Sequence, residues 1–94
     1  MKAILIVTDS EAVPRFERVL AERDRGFTVF PELIGKGRAG LKTGDRVHPG
    51  GSSLMFTVVP ESELDTTVGS LRQVRDEAGV GPETRMWSFA VEEL

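Results

Sequence analysis

Two short, nearly continuous apolar runs, residues 3–7 (AILIV) and 54–59 (LMFTVV), are each followed by a stretch of helical periodicity and then by another strand-like segment. Runs this short, bounded by turn formers, fit strands buried on both faces and are too short for buried helices. After the first run, Ser10 is a candidate N-cap and Pro14 falls within a first helical turn. Val13, Phe16, Val19 and Leu20 then share one helical face before Gly26 ends the segment. Residues 27–34 return as a strand in which Pro31 predicts an edge position or a bulge. After the second run, Ser62 and Asp65 form a capping pattern. Leu64, Val68, Leu71, Val74 or Arg75, and Ala78 follow the helical period, and Gly79 is the expected stop. In a last strand over residues 84–91, Arg85, Trp87, Phe89 and Val91 alternate with Met86, Ser88 and Ala90.

The order is therefore βαββαβ. It predicts an α+β, ferredoxin-like fold in a single domain over residues 1–94, with a four-stranded antiparallel sheet and both helices on one face. Two helices cover only one face, yet consecutive apolar residues in both runs point side chains both ways. The second face is expected to be buried against copies of the chain in a symmetric oligomer. Oligomerisation would also supplement the small core that 94 residues can build.

The chain has a net charge of −3 and no cysteine. Disulfides, thiolate metal sites and cysteine nucleophiles are excluded, and binding to nucleic acid is not expected. The opening apolar run is too short for a signal sequence or a membrane span, so a cytoplasmic protein without membrane insertion is expected. The charge is unevenly spread. Residues 35–51 (GKGRAGLKTGDRVHPGG) hold six of the ten glycines, and Lys36, Arg38, Lys42 and Arg46 face only Asp45 in that segment. The stretch carries +3 and the remainder −6. Glycines free backbone N–H groups to turn toward an anion, and arginines supply planar donors for phosphate or carboxylate, so the segment is expected to bind a small anionic ligand.

Gly35-Lys36-Gly37-Arg38-Ala39-Gly40 matches the dinucleotide fingerprint in letters only. That fingerprint requires a helix to begin within it, and the residues that follow hold too many helix breakers. A phosphate-binding P-loop fails likewise, because Leu41 separates Gly40 from Lys42 and no helix begins there. His48 is the only histidine, with Asp45, Ser52 and Ser53 nearby in sequence but in no catalytic pattern. No catalytic residue and no metal site is expected, and the protein is not expected to be an enzyme.

The βαββαβ order, Gly35-Lys36-Gly37-Arg38 after the second strand, the return into an apolar third strand and Val91-Glu92-Glu93 after the fourth together resemble the PII (GlnB-like) signal-transduction proteins. The resemblance implies a homotrimer with ATP, ADP or AMP, or another small anion, held as an effector in clefts between subunits. It further implies a regulated enzyme or transporter as partner, in nitrogen or carbon metabolism. The ligand-binding residues implied are Gly35, Lys36, Gly37 and Arg38 with Gly79, Gly81 and Arg85, while Lys42 and Arg46 are candidates to replace cations the family carries elsewhere. Ala39 stands where the family has glutamine and Ser52 where it has lysine. The chain has no tyrosine, which excludes tyrosine uridylylation. The related CutA-like trimers share the architecture and imply the alternative, a divalent-metal-binding or structural trimer.

Overall fold

In the computed structural model, residues 1–33, 35–37, 40–42, 51–77 and 84–94 are described, with 35–37 and 40–42 described as backbone strands. Strand β1 (Lys2–Asp9) leads through a 3-10 turn (Ser10–Ala12) into helix α1 (Val13–Glu22), and the chain returns as β2 (Thr28–Leu33). Two short strands follow, β3 (Gly35–Gly37) and β4 (Gly40–Lys42). The second half repeats the first: β5 (Ser52–Val59), a 3-10 turn (Glu61–Glu63), helix α2 (Leu64–Asp76) and β6 (Arg85–Ala90). The main sheet has the order β2-β5-β1-β6 with every pair antiparallel, which is the ferredoxin-like arrangement.

Helix α1 forms where the sequence predicts it. Pro14 sits in its first turn, and Val13, Phe16 and Leu20 are buried. It ends as the amide of Arg23 bonds to the Val19 and Leu20 carbonyls and Asp24 adopts a left-handed conformation, φ 55. Neither helix has the predicted side-chain cap. Each is entered through a 3-10 turn without one, and that turn already gives the first helical amide an acceptor: Val13 N–H donates to the Ser10 carbonyl and Leu64 N–H to the Glu61 carbonyl. Helix α2 stops at Asp76 instead of running to Gly79: Glu77 is already extended. Of the predicted alternatives at 74 and 75, Val74 is the one buried. Pro31 lies in an edge strand, and the β2–β5 register shifts between Phe30 and Leu33, with Glu32 at φ 58.

Beneath the helices, Ile4, Ile6, Met55 and Val59 meet Phe16, Leu20, Leu71 and Val74 in one core. Side chains of Arg23 reach from the end of α1 to Thr66 and Ser70 of α2, and Arg25 pairs with Glu63. The Thr57 hydroxyl donates to the Gly26 carbonyl over 2.7 Å, tying the central strand to the same turn.

The other face carries no helix. Alternation places Ala3, Leu5 and Val7 of β1 there, and the register sets Leu5 between Phe56 and Trp87 and Ala3 between Val58 and Phe89. Phe30 lies opposite Leu54 at the β2 side. Phe30, Trp87 and Phe89 are 49%, 53% and 45% exposed. The apolar second face expected from the sequence is therefore present.

Candidate ligand site at the loop end of the sheet

The segments holding the sequence's candidate residues leave one end of the sheet. There β2 ends at Leu33 opposite Ser52, β1 ends at Asp9 opposite the same Ser52, and β6 begins at Arg85 opposite Val7. The connection between β2 and β5 and the one between α2 and β6 both reach this end.

Hydroxyls cluster on the helix-bearing side of these strand ends, with Ser52 on the opposite face by alternation. Thr8, Ser52, Ser53 and Thr84 are all buried. The Thr8 and Thr84 hydroxyls lie 2.7 Å apart, as do those of Ser10 and Ser53. The Ser10 amide also donates to the Gly51 carbonyl at 3.2 Å, with Gly51 at φ 60, a conformation suited to glycine. A buried hydroxyl costs free energy unless it is hydrogen-bonded, and each pair satisfies this mutually. Ser10, expected to cap a helix, spends its hydroxyl on β5 instead.

Arg85 stands at the edge of this cluster on the open face of the sheet, and its Nη1 donates to the Thr84 carbonyl at 3.1 Å. A guanidinium presents five N–H donors in a planar fork, so it can hold that carbonyl and also receive a phosphate or carboxylate.

The glycine-rich segment begins as a ribbon and not as the loop the sequence suggests. Gly35 pairs with Lys42, Lys36 with Leu41 and Gly37 with Gly40. Strand pairing at the very residues where a dinucleotide fingerprint needs a helix removes that reading. Gly35 and Lys42 thus share one rung and Lys36 occupies the next. Arg38, Arg46, Gly79 and Gly81, and with them His48, lie outside the described residues. The sequence reading missed the hydroxyl cluster. Its signal was present at Thr8, which continues the inward phase of Ile4 and Ile6 and so buries an oxygen where an aliphatic side chain would be the default.

A shallow groove of about 120 Å³ lies elsewhere, between α2 and β6, lined by Val68, Arg72, Arg75, Met86, Ser88 and Ile4. Ile4 lies two full periods of the pleat further from the loop end than Thr8, so this groove does not include the hydroxyl cluster. Ligands are ordinarily enclosed on most sides. Arg85, at the rim of an open face, would enclose one only against a second wall. Among the described residues, no three His, Cys, Asp or Glu side chains are grouped to hold a metal ion, and no helix is long and apolar enough to cross a membrane.

No protein-family model matches the sequence, and no curated protein matches it. Solved structures do match in fold. CPII, a nitrogen regulatory PII-like protein from Thiomonas intermedia K12 bound to ADP, AMP and bicarbonate, matches with a TM-score of 0.72 and 16% identity over 96% of this chain and 86% of that one. The same protein bound to ADP and bicarbonate gives 0.71, also at 16% identity over the same shares of the two chains. A DUF3240 family protein from Shewanella baltica OS155 gives 0.77 at 13% identity, covering 99% of this chain and 91% of that one. The chain thus has a PII-like, ferredoxin-like fold, as the sequence resemblance implied.

Proposed function

We propose that the protein is a trimeric PII-like regulatory protein that binds an adenine nucleotide, bicarbonate or a related small anion between subunits. The observation that carries this reading is the position of Arg85. It sits where the open apolar face meets the end of the sheet from which both candidate segments emerge. Packing open faces together would bury Phe30, Trp87 and Phe89, each worth about 1.5–3 kcal/mol when fully buried, and would bring a neighbouring subunit up to Arg85. The neighbour is the missing wall of the site. Gly35, Lys36, Gly37, Arg38, Lys42, Arg46, Gly79 and Gly81 would complete it from the two connections. CPII, with the same fold, binds ADP, AMP and bicarbonate, which supports this choice of ligand class.

Regulation follows if the ligand binds one arrangement of residues 35–51 better than others, since a ligand shifts a conformational equilibrium by its differential affinity. The partner would be an enzyme or transporter that reads this segment, in a cytoplasmic setting. Among the described residues of this end of the sheet no acid is paired with a base and no nucleophile with an activator, and binding is the chemistry assigned to it.

The test is a thermal-shift series with ATP, ADP, AMP, bicarbonate and ADP plus bicarbonate. A ligand at 100 times its dissociation constant stabilises by about 2.7 kcal/mol, which raises the midpoint of a domain of this size by roughly 10 °C or more. A rise with a nucleotide or bicarbonate that is lost in Arg38→Ala supports the site. A flat response to the whole series removes the reading.

A further inference from the structure

The register that pairs Val7 with Arg85 places Thr84 opposite Thr8 at the next step, and there the two side chains meet, hydroxyl to hydroxyl, at 2.7 Å. Both residues are buried, 1% and 2% exposed. The contact therefore adds a side-chain rung to the ladder at the residue where the α2–β6 connection enters the sheet. The Thr84 carbonyl, in turn, accepts from Arg85 Nη1 at 3.1 Å. A chain of three links runs from the central strand to the guanidinium: Thr8 hydroxyl, Thr84 hydroxyl and carbonyl, Arg85.

We propose that Thr8 and Thr84 are a positioning pair for Arg85, fixing its guanidinium at the rim of the open face in the orientation that receives an anion. The role of Arg85 as a ligand donor rests on the function proposed above. Valine shares the β-branched shape of threonine, so shape alone does not call for two buried hydroxyls at this point. Hydroxyls add direction. Their bond selects one side-chain rotamer at Thr84, and with a β-branched residue that choice restricts the backbone whose carbonyl holds the arginine. A donor held in place before binding loses less conformational freedom when the ligand arrives. The second hydroxyl pair shows the same device at the other entrance: Ser10 and Ser53 clasp the start of β5, next to the Ser10–Gly51 backbone bond.

The experiment uses the full chain and the variants Thr8→Val, Thr84→Val, the double variant, Thr84→Ser and Arg85→Ala. In ligand-free protein, nitrogen relaxation of the Arg85 Nε–H group reads the order of the guanidinium directly. Either valine variant is expected to lower that order while Thr84→Ser keeps it, with thermal midpoints measured alongside to show that the fold persists. Calorimetric titration with ADP is expected to give about tenfold weaker binding in either valine variant, with the double variant no weaker than a single one, the signature of two groups acting as a unit. Unchanged Arg85 order in both valine variants overturns the proposal. So does unchanged ADP affinity in those variants when Arg85→Ala loses it. If the wild-type protein binds no ADP, the nucleotide reading fails, and the relaxation measurement alone decides whether the pair positions Arg85.

Discussion

Trp87 lies directly opposite Leu5 in the β1–β6 register, on the face of the sheet without helices, and 53% of it is exposed. On the same face, Phe56 flanks Leu5 from the β5 side. Leaving this aromatic strip in water forgoes burial free energy that a second and third copy would supply. Sedimentation equilibrium is expected to give three times the 10.3 kDa chain mass for the wild-type protein and a smaller species for Trp87→Lys. A charge introduced at the middle of an apolar interface must be desolvated without a partner, which is the reason for the expected dissociation. A Trp87→Lys protein of unchanged mass would place the contacts between copies elsewhere.

Arg85→Ala is expected to weaken ADP or bicarbonate binding by about 1.5–3 kcal/mol, the range for a hydrogen bond to a charged group and equivalent to roughly 10- to 150-fold. Arg85→Lys should recover only part of this, because an ammonium cannot both keep the Thr84 carbonyl and present a planar fork to the anion. Isothermal titration of the three proteins distinguishes these outcomes. Equal affinities for all three would exclude Arg85 from the site.

Most of the fold was legible, and the parts that were not share a physical cause. The runs at β1 and β5 and the stripe through Val13, Phe16 and Leu20 are periodic apolar patterns, and burial follows such patterns closely. The uncovered face was legible by the same logic, since consecutive apolar residues in β1 and β5 need partners on both sides. The β3–β4 ribbon was not legible, because glycine and lysine carry little strand preference and its pairing is backbone to backbone. The hydroxyl cluster was missed because Thr8, Ser53 and Thr84 are separated in sequence and only the register brings them together. Serine and threonine at strand ends read locally as turn or cap residues, so the tertiary partner of Ser10 could not be seen. Of the candidate ligand residues, Arg85 is placed with its surroundings, Gly35, Lys36, Gly37 and Lys42 are placed by backbone pairing, and Arg38, Arg46, Gly79 and Gly81 fall outside the described residues.

Phe16 is wholly buried in the core that joins α1 to the sheet. Phe16→Ala removes that ring and leaves a cavity, for a loss of about 3–5 kcal/mol. Small domains have roughly 5–15 kcal/mol in total, so the variant should be largely unfolded at moderate denaturant concentrations where the wild-type protein remains native. Urea titration followed by circular dichroism reads this. A midpoint within error of wild type would mean that the core is held by other contacts.

Thr67 provides a prediction of opposite sign. It lies on the inward stripe of α2 with Leu71 and Val74, at 0% exposure, and its Oγ1 has no hydrogen-bond partner among the described residues. A buried hydroxyl in that position carries a desolvation cost of about 1–3 kcal/mol that no hydrogen bond within the described residues offsets. Thr67→Val replaces the oxygen by a methyl group of similar size and keeps the branched shape that fits the site. The substitution is expected to stabilise by about 1 kcal/mol, raising the thermal midpoint by roughly 4–8 °C. Thr67→Ser, which keeps the hydroxyl and loses the methyl, is expected to lower it. A valine variant no more stable than wild type would show that the oxygen finds a partner, and an ordered water between the helices would be the first candidate to examine.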